Sequence, residues 1–211
     1  MEYEVRFYYN SKELKNLIEK LKMFTELKQK PRTYEKTSQY DHACEKYSFY
    51  NKEIDGRFRV RISKKQNQVI SKLSWKRRLK DTTKGNVNSE EEKEVYIDNY
   101  ENFIYIVEQV MHFKLIESYE RYRNVFENEE IEIALDEYPF GLALEIESKN
   151  DSKKTVEKWV KKLGLQIEKA YRLSWDDKYR ELCQNQNIKQ YNIVTFDKEM
   201  PVIGEEIEWD Y

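Results

Sequence analysis

Glu2 and Glu4 open the chain, and Glu145 and Glu147 stand far along it, each pair separated by one residue. In an extended segment alternate side chains share a face, so each Glu-x-Glu sets two carboxylates side by side. Carboxylates are hard oxygen ligands, suited to magnesium or manganese, and Asp136 is a fifth candidate of the same kind. The basic counterparts come in the same spacing: Arg57, Arg59 and Arg61, then Lys76 and Arg78, then Arg121 and Arg123. Arginine grips phosphate oxygens with paired donors, and lysine acts as a point charge. Together the two sets suit a triphosphate bound with a divalent cation. The cation would neutralise phosphate oxygens and orient a water for in-line attack on the terminal phosphorus, and the arginines would stabilise transition-state charge. Glu2, Glu4, Arg59, Arg61, Lys76 and Arg123 are then the catalytic candidates, and Glu2, Glu4, Asp136, Glu145 and Glu147 the metal ligands.

These residues need strands to align them. Residues 131–147, IEIALDEYPFGLALEIE, read as two strands about a Pro-Phe-Gly turn. Ile131, Ile133 and Leu135 oppose Glu132, Ala134 and Asp136, while Leu142, Leu144 and Ile146 oppose Ala143, Glu145 and Glu147. Further strands are expected at 2–9, 57–62, 68–79, 90–97 and 114–126, with a short one at Tyr47–Tyr50 in the less regular stretch 31–56. Arg57, Arg59 and Arg61 oppose Phe58, Val60 and Ile62. Lys72, Ser74, Lys76 and Arg78 oppose Leu73, Trp75 and Leu79, with Arg77 interrupting. Glu90, Glu92 and Glu94 oppose Val95 and Ile97. Helices are expected over about 12–27 behind an Asn10/Glu13 capping box, from Asp98 and Glu101 with Phe103, Ile106, Val107 and Val110 inward, from Ser152 to a stop at Gly164, and from Ser174 through Cys183. Residues 81–89 read as a loop, and 184–211 as a polar C-terminal extension.

The chain has 211 residues, 37% of them charged, yet a net charge of only −2. That balance argues against a general nucleic-acid coat, and 17 tyrosines with clear periodicity argue against disorder. Cys44 and Cys183, far apart and without metal-ligand company, read as free thiols in a reducing compartment. No signal peptide or membrane-length apolar run is present, so a cytoplasmic location without a membrane is expected. His112 reads as structural, His42 as a residue of an irregular segment that could contribute to an entrance, neither as a catalyst, and Trp75, Trp159 and Trp175 read as packing residues. The amphipathic helices must cover apolar surface, and the available faces are those opposite the charges. A sheet curled inside such helices turns the charges into a central cavity, whereas a sandwich would leave them in water. Burying a lone charge costs several kcal/mol, so a charged cavity requires acidic and basic strands interleaved. The expected architecture is one α+β domain over 1–211, a closed or nearly closed antiparallel barrel with helices outside.

The segments EYEVR at 2–6, RFRVRI at 57–62, LSWKRRL at 73–79, EKE at 92–94, RYR at 121–123 and LDEYPFGLALEIE at 135–147 resemble, in order and spacing, the CYTH or triphosphate tunnel metalloenzyme superfamily. The helix at 153–163 and Arg172-Leu-Ser-Trp175 resemble its usual ending. The resemblance implies an eight-stranded antiparallel tunnel holding a triphosphate and Mg2+ or Mn2+. It implies metal or water-orienting roles for Glu2, Glu4, Glu145 and Glu147, with Asp136 before the last glutamate strand. It implies phosphate contacts from Arg6, Arg59, Arg61, Lys76, Arg78, Arg121 and Arg123, joined by Arg57 on the same face, and places Arg172 near the tunnel. Arg6 and Arg121 stand where lysine is common in the superfamily, which keeps the charge and changes the donor geometry. The implied activity is hydrolysis of the terminal phosphate of tripolyphosphate, a nucleoside triphosphate or an RNA 5′-triphosphate. The alternatives are a class IV-type adenylyl cyclase forming cyclic AMP and pyrophosphate, and a non-catalytic polyphosphate-binding module.

Overall fold

The computed structural model describes residues 2–51, 54–66, 68–79 and 87–204. Eight antiparallel strands close on themselves: β1 (Glu2–Tyr9), β3 (Thr33–His42), β4 (Asp55–Lys65), β5 (Gln68–Arg78), β6 (Asn88–Ile97), β7 (Phe113–Glu127), β8 (Ile131–Tyr138) and β9 (Gly141–Ser148). The order round the barrel is β7-β3-β4-β5-β6-β1-β9-β8, and β8 pairs back onto β7. Short strands β2 (Lys28–Gln29) and β10 (Ile193–Val194) also pair with β7, antiparallel at Phe126–Glu127 and parallel at Ser118–Tyr119. Helices α1 (Leu14–Lys22), α2 (Tyr100–Tyr105), α3 (Lys153–Lys162) and α4 (Trp175–Gln186) pack against it from outside. Among the described residues no helix is long and apolar enough to cross a membrane, and both cysteines are free.

The alternation sorts each strand's side chains as its chemistry requires. Val5, Phe7, Ile131, Ile133, Leu135, Leu142, Leu144 and Ile146 face outward and are sealed by α1 through Leu17 and Leu21 and by α3 through Val156, Trp159 and Val160. Val60 and Tyr40, on the outer face of β4 and β3, pack with Val107 and Phe103 of the α2 region. The charged faces therefore point inward, and the sandwich alternative does not hold. The tight β8–β9 turn needs Gly141, whose φ is +152°; a Cβ there would also press on Ile203 at 2.4 Å.

Four local expectations change. The first helix ends at Lys22 rather than residue 27; Phe24 and Leu27 still reach the core, from a turn instead of a helix. The stretch 31–56 holds the ten-residue strand β3, and Tyr47–Tyr50 is a 3-10 turn and bend rather than a strand. Helix α2 is capped by Asn99, whose side chain accepts from the Asn102 amide, not by Asp98. It continues as a π turn over Ile106–Val110, and the extra residue in that turn rotates Ile106 and Val110 outward, leaving both exposed. The last helix runs on from Cys183 to Gln186 and stops at Asn187 in the left-handed conformation. Of the expected loop 81–89, residues 81–86 lie outside the described residues, and Asn88 already belongs to β6. The extension 184–211 likewise includes undescribed residues, 205–211.

Candidate active site

The barrel encloses a cavity of about 350 Å³ whose wall is almost wholly charged. Strands β4 and β5 supply Arg57, Arg59, Arg61, Lys72, Lys76 and Arg78; β6 supplies Glu90, Glu92 and Glu94. From β1 come Glu4 and Arg6, from β7 Arg121 and Arg123, from β8 Glu132, and from β9 Glu145 and Glu147. The structure thus brings together every basic candidate named from the sequence except Arg172. That side chain is exposed and outside the lining; its backbone carbonyl engages the barrel rim, accepting from Asn88. Glu2 holds the register position opposite Glu90, and its side chain lies outside the described residues.

The charges are interleaved, so that Glu4, Glu90, Glu92, Glu94, Glu132 and Glu145 each have a cation beside them. The Lys76 ammonium lies 2.7 Å from Glu90, 3.6 Å from Glu4 and 3.8 Å from Glu92. Arg6 contacts Glu145 at 2.6 Å and Glu4 at 3.5 Å, and Arg123 reaches Glu145 at 3.4 Å and Glu132 at 3.1 Å. Burial opposes ionisation of Glu4 and Glu145, but Lys76 and Arg6 outweigh it at Glu4, and Arg6 and Arg123 do so at Glu145, so both carboxyls titrate below the usual range. They are anions at neutral pH, as oxygen ligands must be.

Asp136 behaves differently. It is fully buried and does not line the cavity; it is clamped between Arg121 at 2.7 Å and Arg123 at 2.9 Å. Burial pushes its carboxyl up to about 6 against the pull of the two guanidiniums, which leaves it ionised at neutral pH. Its position makes it a brace for two cavity-lining arginines rather than a ligand in the cavity. Glu35 of β3 does the same from the other side, 2.7 Å from Arg121 and 3.7 Å from Arg61. Thr37 and Gln39, also on β3, accept from Arg61 at 3.2 Å and Arg59 at 3.3 Å.

One end of the cavity is closed. Along β1, β7 and β8 the inward face turns from charged to aromatic: Arg6 is followed by Tyr8, Asp136 by Tyr138, and Arg121 is preceded by Tyr119. The first turn of α4 seats on these rings, with Ser174 and Trp175 in the lining and Tyr179, Leu182 and Cys183 behind them. The Ser174 hydroxyl is committed to Asp176 and Asp177 in a capping box that fixes the helix start. The opposite end carries the more exposed charges, with Lys72 bridging Glu94 at 2.8 Å.

At the seam between α4 and the barrel, Glu117 faces Asp176, Arg59, Arg180 and Arg57; burial first, then Asp176, push its carboxyl up from 4.5 to about 7. Folding therefore favours its protonated form. That contribution to stability is complete below the ordinary value of 4.5 and is lost as pH rises to about 7. Glu117→Gln, fixed in the neutral form, is expected to melt higher than wild type at pH 8 and no higher at pH 4. Thermal unfolding at the two pH values checks this, and equal melting at pH 8 would remove the strained carboxylate from the account.

Among the described residues no group of three or more His, Cys, Asp or Glu side chains stands ready to hold a metal ion. The donor set nonetheless fits one in kind. Glu4 lies directly opposite Glu147 in the β1–β9 register, and Glu145 is the next inward residue along β9. Three hard oxygen donors thus adjoin on one patch of wall. Glu4 and Glu145 are turned toward Lys76, Arg6 and Arg123, so binding a cation would require them to swing from those partners.

Sequence reasoning missed Glu35, Thr37, Tyr119 and Tyr138. The two tyrosines could have been found by carrying the inward parity of Arg121 and Asp136 two residues further toward α4.

No family model matches the chain, and no curated protein resembles it. Among solved structures, a protein of Pyrococcus horikoshii superposes with a TM-score of 0.68 at 21% identity, covering 86% of this chain and 99% of that one. A Hippeastrum protein named as a candidate adenylyl cyclase, and reported to reveal a dominant triphosphatase activity, superposes with a TM-score of 0.58 at 19% identity over 86% and 96% of the two chains. A Vibrio parahaemolyticus protein named as a candidate adenylate cyclase does so at 0.58 and 15% over 83% and 96%. At such identities the likeness is one of fold.

Proposed function

We infer from the fold, which is that of the CYTH or triphosphate tunnel metalloenzyme superfamily, that this chain is a divalent-metal-dependent triphosphatase releasing the terminal phosphate of a triphosphate substrate. The observation that carries this reading is a cavity of about 350 Å³ in which guanidinium groups from β1, β4, β5 and β7 converge opposite three adjoining glutamates. Arg59, Arg61, Lys76, Arg78 and Arg123, with Arg6 and Arg57, bind the phosphate oxygens and orient the chain of phosphoryl groups. Arginines fixed by Glu35, Gln39, Thr37 and Asp136 need no reorganisation as charge moves toward the transition state, which is where preorganised donors act most strongly. Glu4, Glu145 and Glu147, with Glu2, would hold Mg2+ or Mn2+, which when bound supplies charge neutralisation on the phosphate oxygens and an activated water. The aromatic closure at α4 excludes water from one end, so that the phosphates meet the arginines in a medium where each contact is worth more.

A class IV-type adenylyl cyclase is the second reading, favoured by the names given to the Vibrio and Hippeastrum proteins of the same fold. The test is a panel of tripolyphosphate, ATP and triphosphate-ended RNA with magnesium and with manganese, products identified by chromatography. Orthophosphate release is expected. Cyclic AMP with pyrophosphate from ATP, and no orthophosphate from any substrate, would replace the hydrolase with the cyclase. Binding without turnover of any substrate would leave a polyphosphate-binding module.

A further inference from the structure

Tyr119 lies 3% exposed in the cavity lining at the closed end. Its ring is held 4.3 Å from Trp175 of α4 and 5.7 Å from Tyr138 of β8, centroid to centroid. The phenol lies beside Thr37, its direct cross-strand neighbour on β3, and in the field of Arg59 and Arg61 of β4 and Arg121 of its own strand. Thr37 is fully buried and accepts from the Arg61 Nε at 3.2 Å. A hydroxyl whose acceptor side is taken by a guanidinium turns its own proton to the next oxygen in line, here the phenol. The chain Arg61, Thr37, Tyr119 then leaves the phenol proton free to point into the cavity.

Resting on the triphosphatase reading, we propose that Tyr119 is a substrate-binding residue of that site, donating a hydrogen bond to the phosphoryl group seated at the α4 end and oriented for it by Thr37. Burial resists ionisation of this phenol, yet Arg59, Arg121 and Arg61 overcome that resistance and hold it below the usual tyrosine range. A phenol so polarised is a stronger donor to an anion.

The experiment is calorimetric binding of inorganic tripolyphosphate, without divalent metal, to wild type, Tyr119→Phe, Thr37→Val and Thr37→Ser. Tyr119→Phe keeps the ring against Trp175 and Tyr138 and is expected to melt near wild type while binding about 10- to 100-fold more weakly, the cost of losing a hydrogen bond to a charged group. Thr37→Val is expected to weaken binding as well, and Thr37→Ser, which restores the hydroxyl, to bind as wild type. Should Tyr119→Phe fail to fold, the two Thr37 variants decide. Full affinity in Tyr119→Phe, or equal loss in Thr37→Val and Thr37→Ser, overturns the assignment alone. A wild type that does not bind tripolyphosphate overturns the triphosphatase reading and this assignment with it.

Discussion

Glu4→Gln is expected to lower metal-dependent turnover by at least the ~10–100-fold that losing even a supporting group of a metal site costs, while metal-free tripolyphosphate binds as well as before or more tightly. The two halves of the expectation come from different features of the cavity. Glu4 stands opposite Glu147 and next to Glu145, where hard oxygen donors adjoin. It is also one of the anions that a triphosphate must approach, so its neutralisation removes repulsion from a polyanion. A glutamate that served only to brace Lys76 and Arg6, which it approaches at 3.6 Å and 3.5 Å, would give the opposite second half: the cations would lose their support and anion binding would weaken. Steady-state turnover with magnesium, set beside calorimetry without it, separates the cases. Unchanged turnover would take Glu4 out of the metal site.

Arg121→Met is expected to cost about 3–5 kcal/mol of stability, the usual result of removing one partner from a buried ion-pair network, and hence about 10 °C in melting temperature for a chain of this size. Arg121 uses its whole fork: Nε and Nη2 meet Glu35 at 2.8 and 2.7 Å, and Nη1 meets Asp136 at 2.7 Å and the Tyr138 hydroxyl at 3.3 Å. Truncation leaves fully buried Asp136 with Arg123 alone. Arg121→Lys should fall between, since one ammonium cannot span Glu35 and Asp136 together. Thermal unfolding followed by circular dichroism orders the three proteins. If Arg121→Lys melts with wild type, the planar geometry is irrelevant and only the charge is used.

The interior of the barrel was legible because its strands obey a strict period of two. Arg57, Arg59, Arg61, Lys76, Arg78, Glu4, Glu145 and Glu147 all fell on the face their neighbours' apolar partners left to them. What stayed hidden lies where that signal is weak. Strand β3 reads TYEKTSQYDH, with few apolar residues, since it is held by pairing on both sides with β4 and β7 and has only Tyr40 deep in the core. Glu35 and Thr37 were lost with it. Asp136 shares the parity of the cavity residues, and parity alone cannot tell a side chain that reaches the lumen from one intercepted by two arginines on the way. The turn after α1 kept the helical spacing of Phe24 and Leu27 without the helix, because burial asks for apolar atoms in the right place and not for a particular backbone.

The seating of α4 in one end makes the bore blind. On the triphosphatase reading a polyphosphate would enter end-on, so shortening of a long polymer would proceed stepwise from its terminus and not by cutting in the middle. A ring metaphosphate, which has no end to insert, would be refused.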